Sequence, residues 1–298
     1  MKTLNEILEK VKSLPNKRLI AANGVDDHTI EAVHEAIKYG LIDATLVGDA
    51  NKIAETCKKL NINITDFKIV DIKDEIKAAN EAVKMIFNGQ GDILMKGLIS
   101  TENYMRAILN KEYGLVPPKG LLTHITVIEN SNYHKLITVS DVAILPLPDL
   151  DQKIKMTGLL IATAKRLEIE TPKVAIISAA ENVTPAMQST IDAAIISKMA
   201  DRGQIKGAMV EGPLSIDLAL DEESVKIKGM KSPVAGDADC LLFPNIEAGN
   251  TFYKTNTKLA KAELAAYVAG AKVPCVLSSR GDSAKTKLYS IALAALMA

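Results

Sequence analysis

The chain has 298 residues, 48% of them hydrophobic, enough to bury one or two ordinary cores, and length alone favours two domains. Lysine plus arginine and aspartate plus glutamate both number 36, so the overall field is weak and neither nucleic acid nor an anionic membrane is an expected partner. No segment reaches the ~18 uninterrupted apolar residues of a membrane span, which points to a globular protein acting on something small.

In chain order, the first segment places Leu4, Ile7, Leu8, Val11 and Leu14 on one helical face with charges between them. That pattern is an amphipathic helix and not the apolar core of a signal peptide, so a cytoplasmic protein is expected. Aliphatic, strand-like runs follow near 18–23, 44–48, 68–72, 93–96, 136–140, 173–178, 207–211, 241–244 and 274–277, each closing in a polar, glycine- or proline-marked turn. Segments of helical period fill the gaps. Ile76, Ala79, Val83 and Ile86 form one face, Met187, Ile191, Ala194 and Ile195 another, and Ala284, Leu288, Ile291, Ala292 and Ala295 the last. The alternation predicts an α/β protein with largely parallel, buried sheets. Pro117-Pro118 interrupts the rhythm and the run after Ser140 changes it again, which sets a domain change near residue 137. Cys57, Cys240 and Cys275 are odd in number and lack metal-ligand spacing, and they read as reduced core thiols.

In parallel sheets, function gathers at the carboxyl ends of strands, where loops enter helix N-termini whose N–H groups lack partners. Five such ends carry Ser, Thr, Asn or Gly where a helix can begin: Met95–Arg106, Ser178–Pro185, Val210–Leu220, Phe243–Asn250 and Ser278–Ser283. A helix N-terminus carries ~0.5 of an elementary charge and favours anions. Arg106 and Arg280 add forked donors matched to phosphate oxygens, which makes phosphate the leading candidate ligand. Each corner also has a plain structural explanation. Ser100 or Thr101 can be an ordinary N-cap, Gly212-Pro213 a tight turn, Asp217 a solvated first-turn carboxylate, Arg106 a surface residue, and Ser279-Arg280 a solvent-facing cap.

Several motifs fail on spacing. Gly229–Ser232 resembles the tail of a P-loop but does not meet the G-x-x-x-x-G-K-[ST] spacing, and the paired glycines of 88–92 precede a strand instead of following one. Asp217, Asp221, Asp237 and Asp239 lie near one another in sequence, but without a cofactor signature beside them they read as solvated carboxylates and no metal is expected. His28, His34, His124 and His134 have no metal-like spacing.

Taken together, Met95–Thr101 with Arg106, Ser140–Lys153, Glu211–Asp217, Phe243–Asn250 and Ser278–Ala294 resemble the phosphate acetyltransferase/butyryltransferase family, and within it the butyryl-transferring branch. The resemblance runs through most of the chain. It implies two α/β domains with the architecture of isocitrate and isopropylmalate dehydrogenases, a first domain of 1–137 plus 282–298 and a second of 138–281, an active site between them and a homodimer or higher homo-oligomer. It also implies reversible transfer of a butyryl or similar short or branched acyl group between coenzyme A and inorganic phosphate. Both are substrates, with no tightly bound cofactor and no covalent acyl-enzyme. By the same resemblance Ser279 bonds the carbonyl oxygen as it becomes an oxyanion, and Arg280 with Arg106 holds phosphate. Lys96, Ser100 and Thr101 join the substrate-binding set, and Gly212, Pro213, Gly249 and Asn250 shape the substrate surface. Acetyl-specific relatives carry an aspartate seven residues beyond the serine of the Ser-Arg pair as base, whereas this chain has Thr286 there; Asp282 is the nearest carboxylate. Two readings from other classes stand beside this one: a metal- and NAD(P)-dependent decarboxylating dehydrogenase of the same architecture, and a non-catalytic sensor of coenzyme A or acyl phosphate.

Overall fold

The structure is a computed structural model that describes residues 1–277 and 283–298. Contacts divide the chain into two compact units, a terminal unit of Asn5–Leu122 with Ala265–Ala298 and a central unit of Thr123–Leu264 with Met1–Leu4. The expected change near residue 137 lies inside the central unit.

The terminal unit alternates helix and strand: α1 (Leu4–Lys12), β1 (Lys17–Ala22), α2 (Asp27–Lys38), β2 (Ile42–Gly48), α3 (Ala50–Leu60), β3 (Lys68–Asp71), α4 (Glu75–Phe87), β4 (Ile93–Lys96) and α5 (Thr101–Ile108). The central unit continues with β5 (Thr123–Glu129), β6 (Ile137–Ser140), α6 (Leu150–Arg166), β7 (Lys173–Ile177), α7 (Gln188–Asp201), β8 (Met209–Leu214), α8 (Ile216–Leu220), α9 (Glu222–Lys228), β9 (Cys240–Leu242) and α10 (Ile246–Lys258). The chain then closes the terminal unit with β10 (Glu263–Ala269), β11 (Cys275–Val276) and α11 (Ala284–Met297).

Terminal-unit strands run in the order β3-β2-β1-β4-β11-β10, with β3, β2, β1, β4 and β11 parallel and β10 antiparallel to β11. Central-unit strands run β5-β6-β9-β7-β8, parallel except where β5 meets β6. Parallel strands covered on both faces must be apolar throughout, and Ile93, Leu94 and Met95 of β4, like Cys240, Leu241 and Leu242 of β9, are fully buried. Leu4, Ile7, Leu8 and Val11 of α1 are buried as their spacing predicts, and Cys57, Cys240 and Cys275 are free and buried. Among the described residues no helix is long and apolar enough to cross a membrane.

The structure corrects several element assignments. β5 and β10 were not expected. β5 carries Thr123, His124 and Thr126 buried in its first half, so its polar residues mask the strand signal, and the alanines of β10 blunt β propensity. β8 begins later than expected and runs through Gly212-Pro213, which is therefore inside a strand; the Gly212–Pro213 peptide is cis. In α4, Ile76 is 47% exposed and the buried face is Ala78, Ala79, Ala82, Val83 and Ile86. In α7, Ile195 is exposed while Thr190, Asp192, Ala193, Ile196 and Ser197 face inward, because the helix packs small and polar groups against β8. In α11, Ala284 is exposed and burial wraps most of the way round from Thr286 to Leu296.

Candidate functional site

In the terminal unit, the end of β4 is held against the end of β1. Gly97 N donates to Ala22 O at 2.9 Å and Leu98 N to Asn23 O at 2.9 Å, while Asn23 Nδ2 donates to Leu98 O at 2.5 Å. A Cβ on Gly97 would stand 2.3 Å from Asn23 O, so only glycine allows this approach. Asn23 itself has φ 53°, a left-handed conformation that asparagine tolerates better than most residues. The turn sends the chain into α5. Ser100 is its N-cap, accepting from Asn103 N at 3.1 Å, and Thr101 opens the helix exposed. The half-buried Lys96 places Nζ 3.1 Å from Gly97 O, at the base of the same turn. Arg106 projects from the far end of α5, where Nη2 meets Glu102 Oε1 at 2.7 Å on an exposed surface. The turn and helix start offer one ammonium, two hydroxyls and a helix N-terminus, and Arg106 adds a guanidinium further along α5, all suited to an oxyanion.

Ser279, Arg280 and Asp282 lie outside the described residues. Ser283, just beyond, caps α11: its hydroxyl accepts from Thr286 N at 3.0 Å and sits 3.0 Å from Thr286 Oγ1. Thr286 is thus buried in helix-start packing.

In the central unit, Gly249 and Asn250 hold the segment after β6. A Cβ on Gly249 would lie 2.1 Å from Asp141 O, and Asn250 Nδ2 donates to Val142 O at 2.8 Å. Asp141 is buried and accepts at one oxygen from Thr123 Oγ1 and His124 N, each at 2.8 Å, and at the other from Ala143 N at 2.7 Å and Ile144 N at 2.8 Å. The small side chain at 249 therefore admits the protein's own backbone. Gly212 behaves alike: its missing Cβ would sit 2.8 Å from Ile176 O.

Two further clusters stand at strand carboxyl ends. After β7 and β8, Ser215 Oγ donates to Glu181 Oε1 at 2.7 Å, and Lys228 Nζ bridges Glu181 at 2.9 Å and Asp217 at 3.0 Å. The Ser215 hydroxyl and the Lys228 ammonium hold the Asp217 carboxyl down to about 2. Beside the ends of β7 and β9, Ile177, Ser189, Phe243 and Pro244 line a small recess around a buried ion pair, Lys153 Nζ to Asp192 Oδ2 at 2.6 Å. Asp192 Oδ1 also accepts from Gln188 Nε2 at 2.8 Å.

Lys96, Ser100, Thr101 and Arg106 are therefore on one turn and helix of the terminal unit, while Gly212, Pro213, Gly249 and Asn250 belong to the central unit. Of the four aspartates expected to be solvated, Asp221 is exposed as expected and the other three meet basic side chains. Asp217 pairs with Lys228, Asp221 caps α9 through Ser224, Asp237 meets His134, Lys135 and Lys173, and Asp239 is buried against Lys135. Among the described residues no group of three or more His, Cys, Asp or Glu side chains is placed to hold a metal ion. The bond from Asn23 to Leu98 and the Lys153–Asp192 pair escaped the sequence reading because they join residues far apart in the chain.

Residues 2–83 and 75–295 match the family described as Phosphate acetyl/butaryl transferase. The phosphate butyryltransferase of Clostridium acetobutylicum is 44% identical over 298 residues, spanning 100% of this chain and 99% of that one. The phosphate acetyltransferase of Thermotoga maritima is 41% identical over 295 residues, 99% of each chain. Among solved structures, a branched-chain phosphotransacylase from Enterococcus faecalis V583 superposes with a TM-score of 0.83 at 31% identity, covering 94% of this chain and 99% of that one.

Proposed function

The chain belongs to this phosphate acetyl/butyryltransferase family, and from that premise we propose that it moves a butyryl or similar short or branched acyl group reversibly between coenzyme A and inorganic phosphate. A phosphate oxygen attacks the thioester carbonyl, the C–O bond forms, the C–S bond breaks, and coenzyme A leaves as the thiolate that takes up a proton. In reverse the thiolate attacks the acyl phosphate. Neither direction needs a covalent intermediate on the protein. The task is to hold two anionic reactants against one carbonyl, which calls for positive charge and orientation.

The terminal-unit group supplies part of that. Lys96 and the start of α5, with Ser100 and Thr101, hold phosphate. Arg106 exchanges Glu102 for phosphate, an exchange that costs little because an exposed ion pair contributes only ~0–1 kcal/mol. Ser279 stabilises the oxyanion, Arg280 aligns phosphate, and Asp282 is the carboxylate available as base. Homo-oligomeric assembly and a cytoplasmic location belong to the same reading.

The observation that carries the proposal is likeness over the whole chain to an enzyme named phosphate butyryltransferase. The test is phosphate-dependent release of thiol from acetyl, propionyl, butyryl and isobutyryl thioesters of coenzyme A. A C4 optimum is expected, with kcat for Ser279→Ala lower by ~10²-fold at little change in KM for phosphate. An acetyl optimum overturns the acyl preference, and thiol release independent of phosphate overturns the reaction.

A further inference from the structure

Helix α5 is short, and its buried face consists of Tyr104, Ala107 and Ile108. Alanine and isoleucine contacts are non-directional, so they bury area without defining where along the sheet the helix comes to rest. Tyr104 is different. Its side chain is fully buried, and its hydroxyl lies 3.3 Å from Leu94 O in β4 and 3.4 Å from Val276 O in β11. Those strands are neighbours, with Cys275 paired to Leu94 and Val276 to Met95. One O–H thus reaches the main-chain carbonyls of two adjacent strands just before their carboxyl ends. Burial pushes the phenol well above its ordinary range, so the hydroxyl stays protonated and is a donor at every working pH.

The start of the segment is held by the Gly97 and Leu98 bonds to the end of β1. Tyr104, one turn inside the helix, holds it from the other side through its two shared O–H contacts of 3.3 and 3.4 Å. Between these anchors lie Ser100, Thr101 and the first N–H groups of α5, with Lys96 at the base of the turn.

We infer that Tyr104 is a positioning residue for phosphate: its hydroxyl, seated on Leu94 O and Val276 O, sets the placement of α5 so that Lys96, Ser100 and the helix N-terminus converge on the anion. The inference rests on the phosphate-binding role proposed above for that segment. Tyr104 touches no substrate and acts only through the helix that carries it. Anion binding by a helix N-terminus falls off within its first turn, and misplacing bound groups by about an ångström costs up to ~10²-fold in rate. A small displacement of α5 is therefore felt first in phosphate binding.

The test compares Tyr104→Phe with Lys96→Gln in the phosphate-dependent thiol-release assay, with inorganic phosphate and the acyl thioester varied separately. Phenylalanine keeps the buried ring and removes only the donor, and KM reports folded molecules alone, so partial loss of soluble enzyme does not obscure it. For Tyr104→Phe the expected result is KM for phosphate raised ~5-fold or more, with KM for the thioester changed less than ~2-fold. A purely structural role would lower the thermal midpoint and the yield of active enzyme while leaving both KM values in place, and that result overturns the inference. If Lys96→Gln raises KM for phosphate and Tyr104→Phe does not, the positioning role falls while the site stands. If neither variant moves KM for phosphate, the site itself is misplaced and the inference falls with it.

Discussion

Asp141 illustrates how much one buried carboxylate organises. It is acceptor-only, and all four of its bonds come from O–H or N–H donors: Thr123 and His124 at one oxygen, Ala143 and Ile144 at the other. Its carbonyl oxygen lies 2.1 Å from where a Cβ on Gly249 would be, and Asn250 Nδ2 donates to the next carbonyl along, that of Val142. Asp141→Asn keeps the shape but turns an NH2 group toward donors at one of the two oxygens. The expected cost is ~1–3 kcal/mol of stability, read as a lower denaturant midpoint at unchanged slope, because a buried donor facing another donor satisfies neither. At this scale the sequence was partly legible. Ser100 as an N-cap follows from a hydroxyl three residues ahead of its N–H partner, and the bonds from Ala143 and Ile144 to Asp141 have the same local spacing, whereas its other two donors, Thr123 and His124, lie well upstream in β5.

At the scale of elements, the notable device is the Lys153–Asp192 pair joining α6 to α7 beside the carboxyl ends of β7 and β9. Both side chains are almost wholly buried, at 6% and 5% exposure. Removing one partner strands the other charge in a poorly hydrated place. Lys153→Met is therefore expected to destabilise the fold by ~3–5 kcal/mol, and Lys153→Met combined with Asp192→Leu to restore much of the loss. Thermal and denaturant unfolding of the two single variants and the double variant check this; equal loss in single and double variants would deny the coupling. Most strands were readable because a parallel strand buried on both faces is a run of aliphatic residues. β5 and β10 were not, since a buried polar network in one and alanine richness in the other remove that mark. The inward face of α7 was misread for a related reason: Asp192 is turned in by a lysine from another helix, and no periodicity of hydrophobic residues can announce it.

At the scale of the whole molecule, acid sensitivity follows from the start of the central sheet. Burial pushes the Asp237 carboxyl up, but the hydrogen bonds and charges of Lys135 and Lys173 outweigh it and hold the group down to about 2. An unfolded aspartate titrates near ~3.9, so the unfolded chain takes up this proton first as pH falls. The stabilisation is complete above that value and is lost as pH falls toward about 2. Unfolding midpoints measured from pH 5 to pH 2 should fall more steeply for the native chain than for Asp237→Asn; identical slopes would remove Asp237 from the account. Read alone, the sequence determined the α/β class, the buried thiols, the strand ends worth watching and, through five segments of family likeness, the reaction. These properties are written in local periodicity and in short motifs, each legible within a few turns of chain. Only the tertiary structure decided which partner each polar group has: that Gly249 makes room for Asp141, that Asp217, Asp237 and Asp239 pair with lysines, and that Tyr104 ties α5 to two strands. Such pairings join residues distant in the chain, and burial makes them compulsory because an unpaired polar group in the core is costly.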